Sequence, residues 1–578
     1  MSSQIQMPPG KTYSVPHEAA DLLLRGIIQN PLVKDLPENA EELYSHVKFE
    51  GHATPSIPIN WRFSESISAL KGFEAVMLNG LITRKYGVAP VDVTINTDHA
   101  SLFFMSSLIA QVVQEGKPTP FSPLSPLESK LFPSQDLHRS LGNLYRQLAT
   151  NIYKTKDNRY YHIHGSMNPD HCLTALGLPL DGEDTDTYEA IVERIQAAVS
   201  QHNGADLDEL MNEQYRQAGT IAYTADEYFA TEQGKNDVGL YEIHKDNDST
   251  QPAGWWPENS SLPSSPKRPL AGLKVVDLTR VIAGPSLCRS LAELGASVMR
   301  IVSPQITDMT PVHQDLNWGK WNAFLHLKDE ADKEKFRALI READVVVDGY
   351  RPGVMEKLGF GRQAIFDLVK DRQHGIIHVR ENCYGWHGPW THRSGWQQIS
   401  DACCGVSLEY GKAMGHGEAV TPVFPNADYC TGVCGSAAVL DALVKKSQHG
   451  GSYGVDVALN YYSQWLVKSC GTYPADIWHE LFTRHGSPVF RHYHMMLYLL
   501  PAMFKILHEH DADVLFNPEF FEPRTSKNLD TTFVVPKPVL QFPNGDVQPG
   551  YNVGTRRNGT DQAYWPKDLK TEVIGLAA

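Results

Sequence analysis

The spacing of apolar residues near the middle of the chain predicts a β-α-β unit. Residues 273–278 are a short apolar run rich in valine, which is typical of a strand buried in a parallel sheet. A helix is expected to begin near Pro285, a residue favoured in the first helical turn, and to end at Gly295, before a second strand at 297–302. Ligands of such units bind at the carboxyl ends of the strands, so the turn at 279–284 is a candidate binding edge.

That turn does not carry the glycines of a dinucleotide site. A dinucleotide-binding strand is followed by G-x-G-x-x-G, whereas this turn has only Gly284 before Pro285. We therefore exclude a nicotinamide or flavin site of the Rossmann type. An ordinary structural crossover stays open as an alternative, because a fold by itself does not establish a function.

Composition narrows the class of protein. The 578 residues are enough for two or more domains, and 42% hydrophobic with 21% charged residues is ordinary for a globular chain. A net charge of −15 argues against a nucleic-acid partner. Eight cysteines in so long a chain do not indicate a disulfide scaffold, and their spacing predicts no metal site.

Neither a membrane span nor a targeting signal is expected. The sequence has no run of about 18 apolar residues, which predicts that there is no membrane partner. The first ten residues lack the basic and apolar pattern of a signal peptide, and the last five carry no retention or peroxisomal signal. A cytoplasmic location is therefore expected.

A proline- and serine-rich stretch at 251–268 is predicted to be a linker. It separates an N-terminal part, residues 1–250, from residues 269–460, which hold the β-α-β unit. Residues 461–578 are expected to form a C-terminal segment that completes the fold.

Five motifs follow one another within residues 269–460. They are LAGLKVVDLTRVIAGP (270–285), EADVVVDGYRPGVMEKLGFG (342–361), YGWHGPWTHRSG (384–395), NADYCTG (426–432) and GVDVAL (454–459). In this order and spacing they resemble the family III CoA-transferases of the CaiB/BaiF type, which include formyl-CoA transferase and α-methylacyl-CoA racemase. The resemblance implies an α/β protein with a Rossmann-like parallel sheet and additional flanking α/β segments.

Asp428 is the candidate nucleophile. It precedes a helix of small residues, and the free N–H groups and dipole at such a helix start favour a carboxylate anion. The resemblance implies that this aspartate attacks an acyl-CoA, forms an anhydride and then an aspartyl-CoA thioester, and passes CoA to an incoming carboxylic acid. The alternative is a helix N-cap, a position that aspartate favours without any catalysis.

The resemblance also implies which residues bind coenzyme A, which is a substrate here and not a permanently bound cofactor; no metal is implied. These residues are Ile282, Ala283, Lys320, Tyr350, Arg351, Lys357, Arg393 and Trp396. Because CoA is polyanionic, its site must be locally basic in this acidic protein, and Arg280 can add to the cations just named; solvated surface charges are the alternative. Formyl-CoA transferase has a glutamine where this chain has Ile282, so an amide donor for the oxyanion is missing and an apolar acyl group is favoured.

Trp396 distinguishes between two activities of the family. Racemases have a histidine after an Arg-x-Gly sequence, which exchanges the α-proton together with the aspartate. Here Trp396 follows Arg393-Ser394-Gly395, and indole cannot serve as that base. We therefore favour CoA transfer from an acyl-CoA to a carboxylic acid, with a racemase or isomerase and an inactive CoA-binding protein as alternatives.

A faint internal repeat relates residues 58–95 to residues 425–459, which share the order loop, helix, strand. It predicts that the N-terminal part is a degenerate partial copy of the family region; chance similarity is the alternative. In this alignment Trp61 lies near the position of Asp428, so the first copy lacks the acid. The resembling family forms interlocked dimers, and this double-length chain is expected to form either a homodimer or an intrachain pseudo-dimer.

Overall fold

Sixteen strands form four β-sheets in residues 13–34, 36–121 and 125–575, which this computed structural model describes. The chain ends, on which the expected location rests, lie outside the described residues. The strands are β1 Val47–Glu50, β2 Val93–Asn96, β3 Gln111–Gln114, β4 Lys117–Pro120, β5 Asn151–Lys154, β6 Tyr160–Ile163, β7 Gly219–Ile221, β8 Glu242–Lys245, β9 Lys274–Leu278, β10 Ser297–Val302, β11 Lys320–Phe324, β12 Val345–Asp348, β13 Ile377–Asn382, β14 Tyr453–Ala458, β15 Phe521–Ser526 and β16 Thr531–Pro536.

The α-helices lie between and around these strands. They are α1 Val15–Asp21, α2 Ala40–Tyr44, α3 Phe63–Tyr86, α4 Thr97–Ser101, α5 Ser106–Ile109, α6 Pro126–Leu131, α7 Leu144–Gln147, α8 Asp170–Ala175, α9 Tyr188–Val199, α10 Gly204–Glu209, α11 Ala225–Ala230, α12 Ala283–Glu293, α13 His313–Leu316, α14 Glu330–Glu342, α15 Val354–Leu358, α16 Arg362–Leu368, α17 Gln397–Cys403, α18 Val406–Ala413, α19 Asn426–His449, α20 Leu459–Trp465, α21 Ala475–Arg484, α22 Met496–His510 and α23 Ala512–Leu515. Short 3₁₀ or π segments adjoin them at Leu22–Ile28, Leu102–Met105, Leu210–Gln214, Thr310–Val312, Leu466–Cys470 and Pro518–Phe520.

The central sheet confirms the predicted Rossmann-like fold. Its seven strands have the order β11-β10-β9-β12-β13-β14-β8; all pairings are parallel except that of β14 with β8. Counted from β9, the parallel strands follow the doubly wound order 3-2-1-4-5-6. The predicted β-α-β unit is β9, α12 and β10, with α12 beginning at Ala283, two residues before Pro285. Since β10 and β12 lie on opposite sides of β9, the order reverses beside β9, where such sheets bind ligands.

Both faces of this sheet are covered, which explains why its strands are apolar without alternation. Successive residues of β9 point to opposite faces: Val275 packs in the core that contains α12 and α19, and Val276 packs in the core under α14 and α16. Both side chains are 0% exposed. Burying one valine side chain contributes about 1.5–3 kcal/mol, so the valine-rich run predicted from the sequence stabilises the sheet from both sides.

Helix α19 is the long core helix of the molecule. It packs on α12, α3 and strands β13 and β14. A Cβ at Gly432 would lie 2.9 Å from the carbonyl oxygen of Ala283 and would overlap Ser286, so only glycine allows α12 to approach this closely. Among the described helices α19 alone is long and apolar enough to cross a membrane, but 89% of its apolar stretch is buried within the protein. We therefore interpret α19 as a buried core helix and not as a membrane span.

The N-terminal part shares elements with the central sheet. Strand β8, from before the predicted linker, pairs with β14, and β3 pairs with β16 near the end of the chain. The parallel pair β1 and β2 is joined through α3, as the parallel pair β13 and β14 is joined through α19. Both connecting helices have 24 residues. The order loop, helix, strand seen in the sequence repeat is thus present twice in the structure.

Candidate functional site

The carboxyl ends of three neighbouring strands form a crevice where the strand order reverses. Gly349, directly after β12, is central to it. A Cβ at Gly349 would lie 3.3 Å from Cγ2 of Thr279, after β9, and 3.5 Å from Oε2 of Glu381, near the end of β13. Gly349 therefore lies close both to the residue that follows β9 and to Glu381 of β13.

Asp428 lies at the start of α19, but not in the position that the sequence indicated. The helix begins at Asn426 with Pro425 as its N-cap, so Asp428 is the third helical residue and is not the cap. The capping role considered for it is therefore wrong. Gly432 lies one turn further along the same helix face and contacts the start of α12. Asp428 consequently faces the turn between β9 and α12, at the crevice.

The Asp428 carboxyl is surrounded by other acids. Burial raises its pKa well above the ordinary range, and the neighbouring Glu381 and Asp401 raise it further. Burial also raises the pKa of Glu381 and of Asp401 to about 7, with Asp348 adding to the effect on Glu381. Like charges this close in a dry site cannot all ionise together, so burial and mutual repulsion both favour protonation within this group of carboxyls. Asp428 and Glu381 both keep part of their surface exposed, which leaves them accessible to a ligand.

Two strained backbone positions flank this carboxyl group. Val281, in the turn before α12, has a φ of +71°, and Phe424, four residues before Asp428, has a φ of +78°. A left-handed conformation is rare for a β-branched residue, and such strain costs about 1–3 kcal/mol, so surrounding contacts must enforce it. One of these is the Gln397 amide, whose Nε2 donates to the Phe424 carbonyl oxygen at 2.9 Å. This contact therefore holds the backbone just before the start of α19, on the N-terminal side of Asp428.

An apolar wall closes one side of the site. Ala283 and Cys383 pack in one cluster, with Trp396 against it, so the structure brings these two predicted CoA-site residues, Ala283 and Trp396, together. The indole of Trp396 stacks on His164 with 5.1 Å between ring centroids and donates from Nε1 to Ser166 Oγ at 2.9 Å. Burial holds the pKa of His164 well below its usual value, so this ring is neutral. His164 directly follows β6 and was not among the site residues predicted from the sequence.

Ile282 is the N-cap residue of α12, next to Ala283, and its side chain packs against the main core. The side chain at this position of the turn is thus an alkyl group, half-buried against the core. Its contribution to binding CoA stays a prediction.

A group of arginines lies at the end of β12. Burial lowers the pKa of Arg351, and the nearby charges of Arg280 and Arg216 lower it further. Arg351 Nη1 donates to the Arg216 carbonyl oxygen at 3.3 Å, and the Arg280 guanidinium lies 5.8 Å from the centre of the Tyr350 ring. Two guanidinium groups that both repel a third favour a polyanion beside them. Sequence reasoning missed Arg216 because it comes from the N-terminal part.

Lys357 lies exposed on α15, the short helix that follows these residues. Its assignment to CoA binding stays a prediction.

Two predicted CoA contacts are engaged elsewhere. Lys320 is 0% exposed, and its Nζ lies 2.8 Å from Asp277 Oδ2 and 2.9 Å from the Pro285 carbonyl oxygen. Arg393 donates to Asp208 at 2.8 Å and to Glu213 at 2.9 Å. A phosphate could reach either cation only by displacing these carboxylates. In this structure Lys320 neutralises a buried aspartate and Arg393 pairs with acids of the N-terminal part, and the predicted contacts of both residues with CoA stay predictions.

A second carboxylate occupies the position of Asp428 in the repeated unit. The third residue of α3 is Glu65, as the third residue of α19 is Asp428. Trp61, which the sequence repeat places near the position of Asp428, lies two residues before α3, and its Nε1 donates to the Val406 carbonyl oxygen at 3.0 Å. Glu65 is 0% exposed and accepts hydrogen bonds from Tyr13 at 2.5 Å and Tyr473 at 3.1 Å. The two tyrosine hydroxyls therefore cover this carboxyl, which has no contact with solvent.

One group of side chains has metal-ligand geometry. Glu242, His244 and Asp456 place ligand atoms within 4.8 Å of one another. Asp456, however, is already paired: hydrogen bonds from His244, Arg380 and Arg362 outweigh burial and hold its pKa far below the usual range. Two guanidinium groups oppose a cation here, so we interpret the group as a structural ion-pair network.

Comparisons with known proteins agree with this architecture. The sequence model of CoA-transferase family III matches residues 270–482. The acetyl-coenzyme A transferase nodX of Hypoxylon pulicicidum is 58% identical over 563 residues, which cover 97% of this chain and 95% of that protein. An acyl-CoA transferase of Gibberella moniliformis (strain M3125 / FGSC 7600) is 32% identical over 444 residues, 74% of this chain and 75% of that protein.

A crystal structure of a CaiB/BaiF family protein from Brucella suis aligns with 34% of this chain and 55% of its own, at 25% identity and a TM-score of 0.32. The relationship to the two transferases extends over most of the chain, including the N-terminal part that the family model does not reach. The chain therefore belongs to CoA-transferase family III and is an enzyme of that family.

Proposed function

We propose that this enzyme moves CoA from an acyl-CoA to a carboxylic acid through an aspartyl-CoA thioester on Asp428. The observation that carries the proposal is the position of this carboxyl: partly exposed, at the first turn of α19, and facing the β9–α12 turn at the sheet edge where doubly wound folds bind ligands. Capping does not explain the residue, since Pro425 holds the cap position. The similar protein named an acetyl-coenzyme A transferase makes acetyl-CoA the first donor to test.

The steps balance without an added oxidant or cofactor. The Asp428 carboxylate attacks the thioester carbonyl, the C–S bond breaks, and CoA thiolate leaves an acyl-aspartyl anhydride. The thiolate then attacks the Asp428 carbonyl carbon, which releases the first carboxylate and leaves aspartyl-CoA. An incoming carboxylate then attacks the carbonyl carbon of aspartyl-CoA, which releases CoA thiolate and leaves a second anhydride. The thiolate attacks the acyl carbonyl of this anhydride, which gives the new acyl-CoA and restores the Asp428 carboxylate.

The arginine group supports binding of the CoA phosphates. Arg216, Arg280 and Arg351 lie together at the end of β12, one strand away from the crevice edge at β13. Arginine is suited to phosphate because its planar fork donates two parallel hydrogen bonds. The thioester end of the ligand would then extend toward Asp428 along the apolar side that Ala283 and Trp396 form.

The proposal predicts one labelled carboxyl per chain. Incubation with acetyl-CoA followed by hydroxylamine or borohydride should modify Asp428 and leave Glu65 unmodified, because Glu65 is fully buried beneath Tyr13 and Tyr473. Peptide mapping by mass spectrometry measures both positions in one sample. An adduct on Glu65, or none on Asp428 while transfer proceeds, would contradict the proposal.

Racemisation is the second activity to test. It needs an acid and a base on opposite faces of the α-carbon, and Trp396 provides neither, with its only polar atom donating to Ser166. In deuterated water, a 2-methylacyl-CoA should therefore take up no deuterium at the α-carbon, as followed by mass spectrometry. Uptake that disappears in Asp428→Asn would place the enzyme among the isomerases instead.

A further inference from the structure

We infer that Glu381, in its carboxylic acid form, donates a hydrogen bond to the oxyanion that forms when Asp428 attacks the thioester. The inference rests on the proposed function and adds a second catalytic residue to it. No bond to hydrogen breaks in this step: the O–H stays on Glu381 and its hydrogen bond strengthens as negative charge develops on the substrate oxygen.

Strand geometry aims Glu381 at the site. Side chains alternate along β13, and Ile377 and Val379 face the core that contains α12 and α19. The pairing of β13 with β14 is regular through this stretch, with Glu381 opposite Val457, another residue of that core. Glu381 therefore points to the same face of the sheet as these residues, toward the helices that position the nucleophile.

Position along the strand places Glu381 beside Asp428. A helix that connects parallel strands runs back across the sheet, so α19 begins at the edge where β13 ends. Oε2 of Glu381 also lies 3.5 Å from where a Cβ of Gly349 would be, at the mouth of the crevice. The absence of a side chain at Gly349 leaves the carboxyl partly exposed there.

The site needs such a donor. The turn before α12 presents the alkyl side chain of Ile282. The nearby Gln397 amide is occupied, because Nε2 donates to Asp401 at 3.1 Å and to the Phe424 carbonyl oxygen at 2.9 Å. A neutral carboxylic acid in a dry site is a strong hydrogen-bond donor to an oxyanion.

Glu381 and Asp428 belong to one group of buried acids, and burial raises the pKa of Asp428 even further above its ordinary value than it raises that of Glu381. Asp428 faces it from α19, Asp401 lies on α17 beside Asp428, and Asp348 lies on β12. Burial and Asp348 raise the pKa of Glu381 to about 7. The pair has two singly protonated forms, and transfer uses the one in which Asp428 is ionised and Glu381 keeps the proton. Activity should therefore fall when the pair holds two protons and again when it holds none.

The test is the pH profile of kcat for acetyl-CoA-dependent transfer in Glu381→Gln and Glu381→Ala. The glutamine amide remains a donor at every pH and removes one negative charge. Glu381→Gln should therefore keep substantial activity, lose the alkaline limb, and shift the acid limb to lower pH. Glu381→Ala loses the donor and should lower kcat by about 10²–10³-fold.

Asp401→Asn is the matched control. It removes a neighbouring acid that lies on α17 and is not held at the site by β13. It should move the acid limb and keep the alkaline limb. An alkaline limb that persists in Glu381→Gln, or wild-type kcat in a folded Glu381→Ala, would overturn the inference. A missing adduct on Asp428 in the unmodified enzyme would instead refute the proposed function, whatever the Glu381 variants do.

Discussion

Asp428→Asn is expected to lower kcat for CoA transfer by about 10⁴-fold or more, because the amide cannot form the anhydride on which both half-reactions depend. The substitution keeps the size of the side chain, and the residue is not the helix cap, so α19 should stay intact. Steady-state transfer from acetyl-CoA measures the effect, and calorimetric titration with CoA checks that binding survives.

Glu65→Gln is the matched control for this variant, because Glu65 is the third residue of the corresponding helix α3. It should leave kcat unchanged, since Tyr13 and Tyr473 close that carboxyl off from substrate. Turnover in Asp428→Asn near that of the unmodified enzyme would remove the residue from the mechanism. A collapse of turnover in Glu65→Gln, with the fold preserved, would mean that both copies take part.

Lys320→Met is expected to destabilise the central sheet by about 3–5 kcal/mol, because it leaves the buried Asp277 carboxylate without its partner. Both side chains are 0% exposed, so water cannot replace the lost charge. The urea midpoint of the sheet's unfolding, followed by circular dichroism, measures the loss. Adding Asp277→Asn should recover much of it, since a neutral pair carries no uncompensated charge.

Lys357→Met is the comparison for Lys320, since Lys357 is exposed on α15. Its substitution should change stability by less than about 0.5 kcal/mol. A raised KM for acyl-CoA in Lys357→Met would support its predicted contact with CoA. Unchanged stability together with a raised KM in Lys320→Met would support the sequence-based assignment of Lys320 as a CoA ligand.

The sequence pattern was sufficient to predict those elements that depend on residues close to one another in the chain. The β9–α12–β10 unit follows from one apolar run, a proline and a glycine, because each acts within a few residues of itself. Asp428 was found from its motif, although the helix begins before it and not after it. Start positions of helices depend on backbone contacts that a residue pattern describes poorly.

Contacts between distant segments could not be predicted in the same way. Lys320 resembles a surface cation in the sequence, and only the arrival of Asp277 from β9 makes its burial tolerable. Arg216 and His164 reach the site from the N-terminal part, whose own pattern shows no connection to it. In the repeat, Trp61 and Asp428 were matched by flanking sequence and not by the turns of the two helices.

The packing of α3 against α19 within one chain also affects how the assembly of this core depends on protein concentration. When two such helices belong to separate chains, their pairing obeys mass action and is lost on dilution. Here one polypeptide carries both, so the effective concentration of one helix for the other is set by the intervening chain. The pairing of α3 with α19 therefore does not weaken as the protein is diluted.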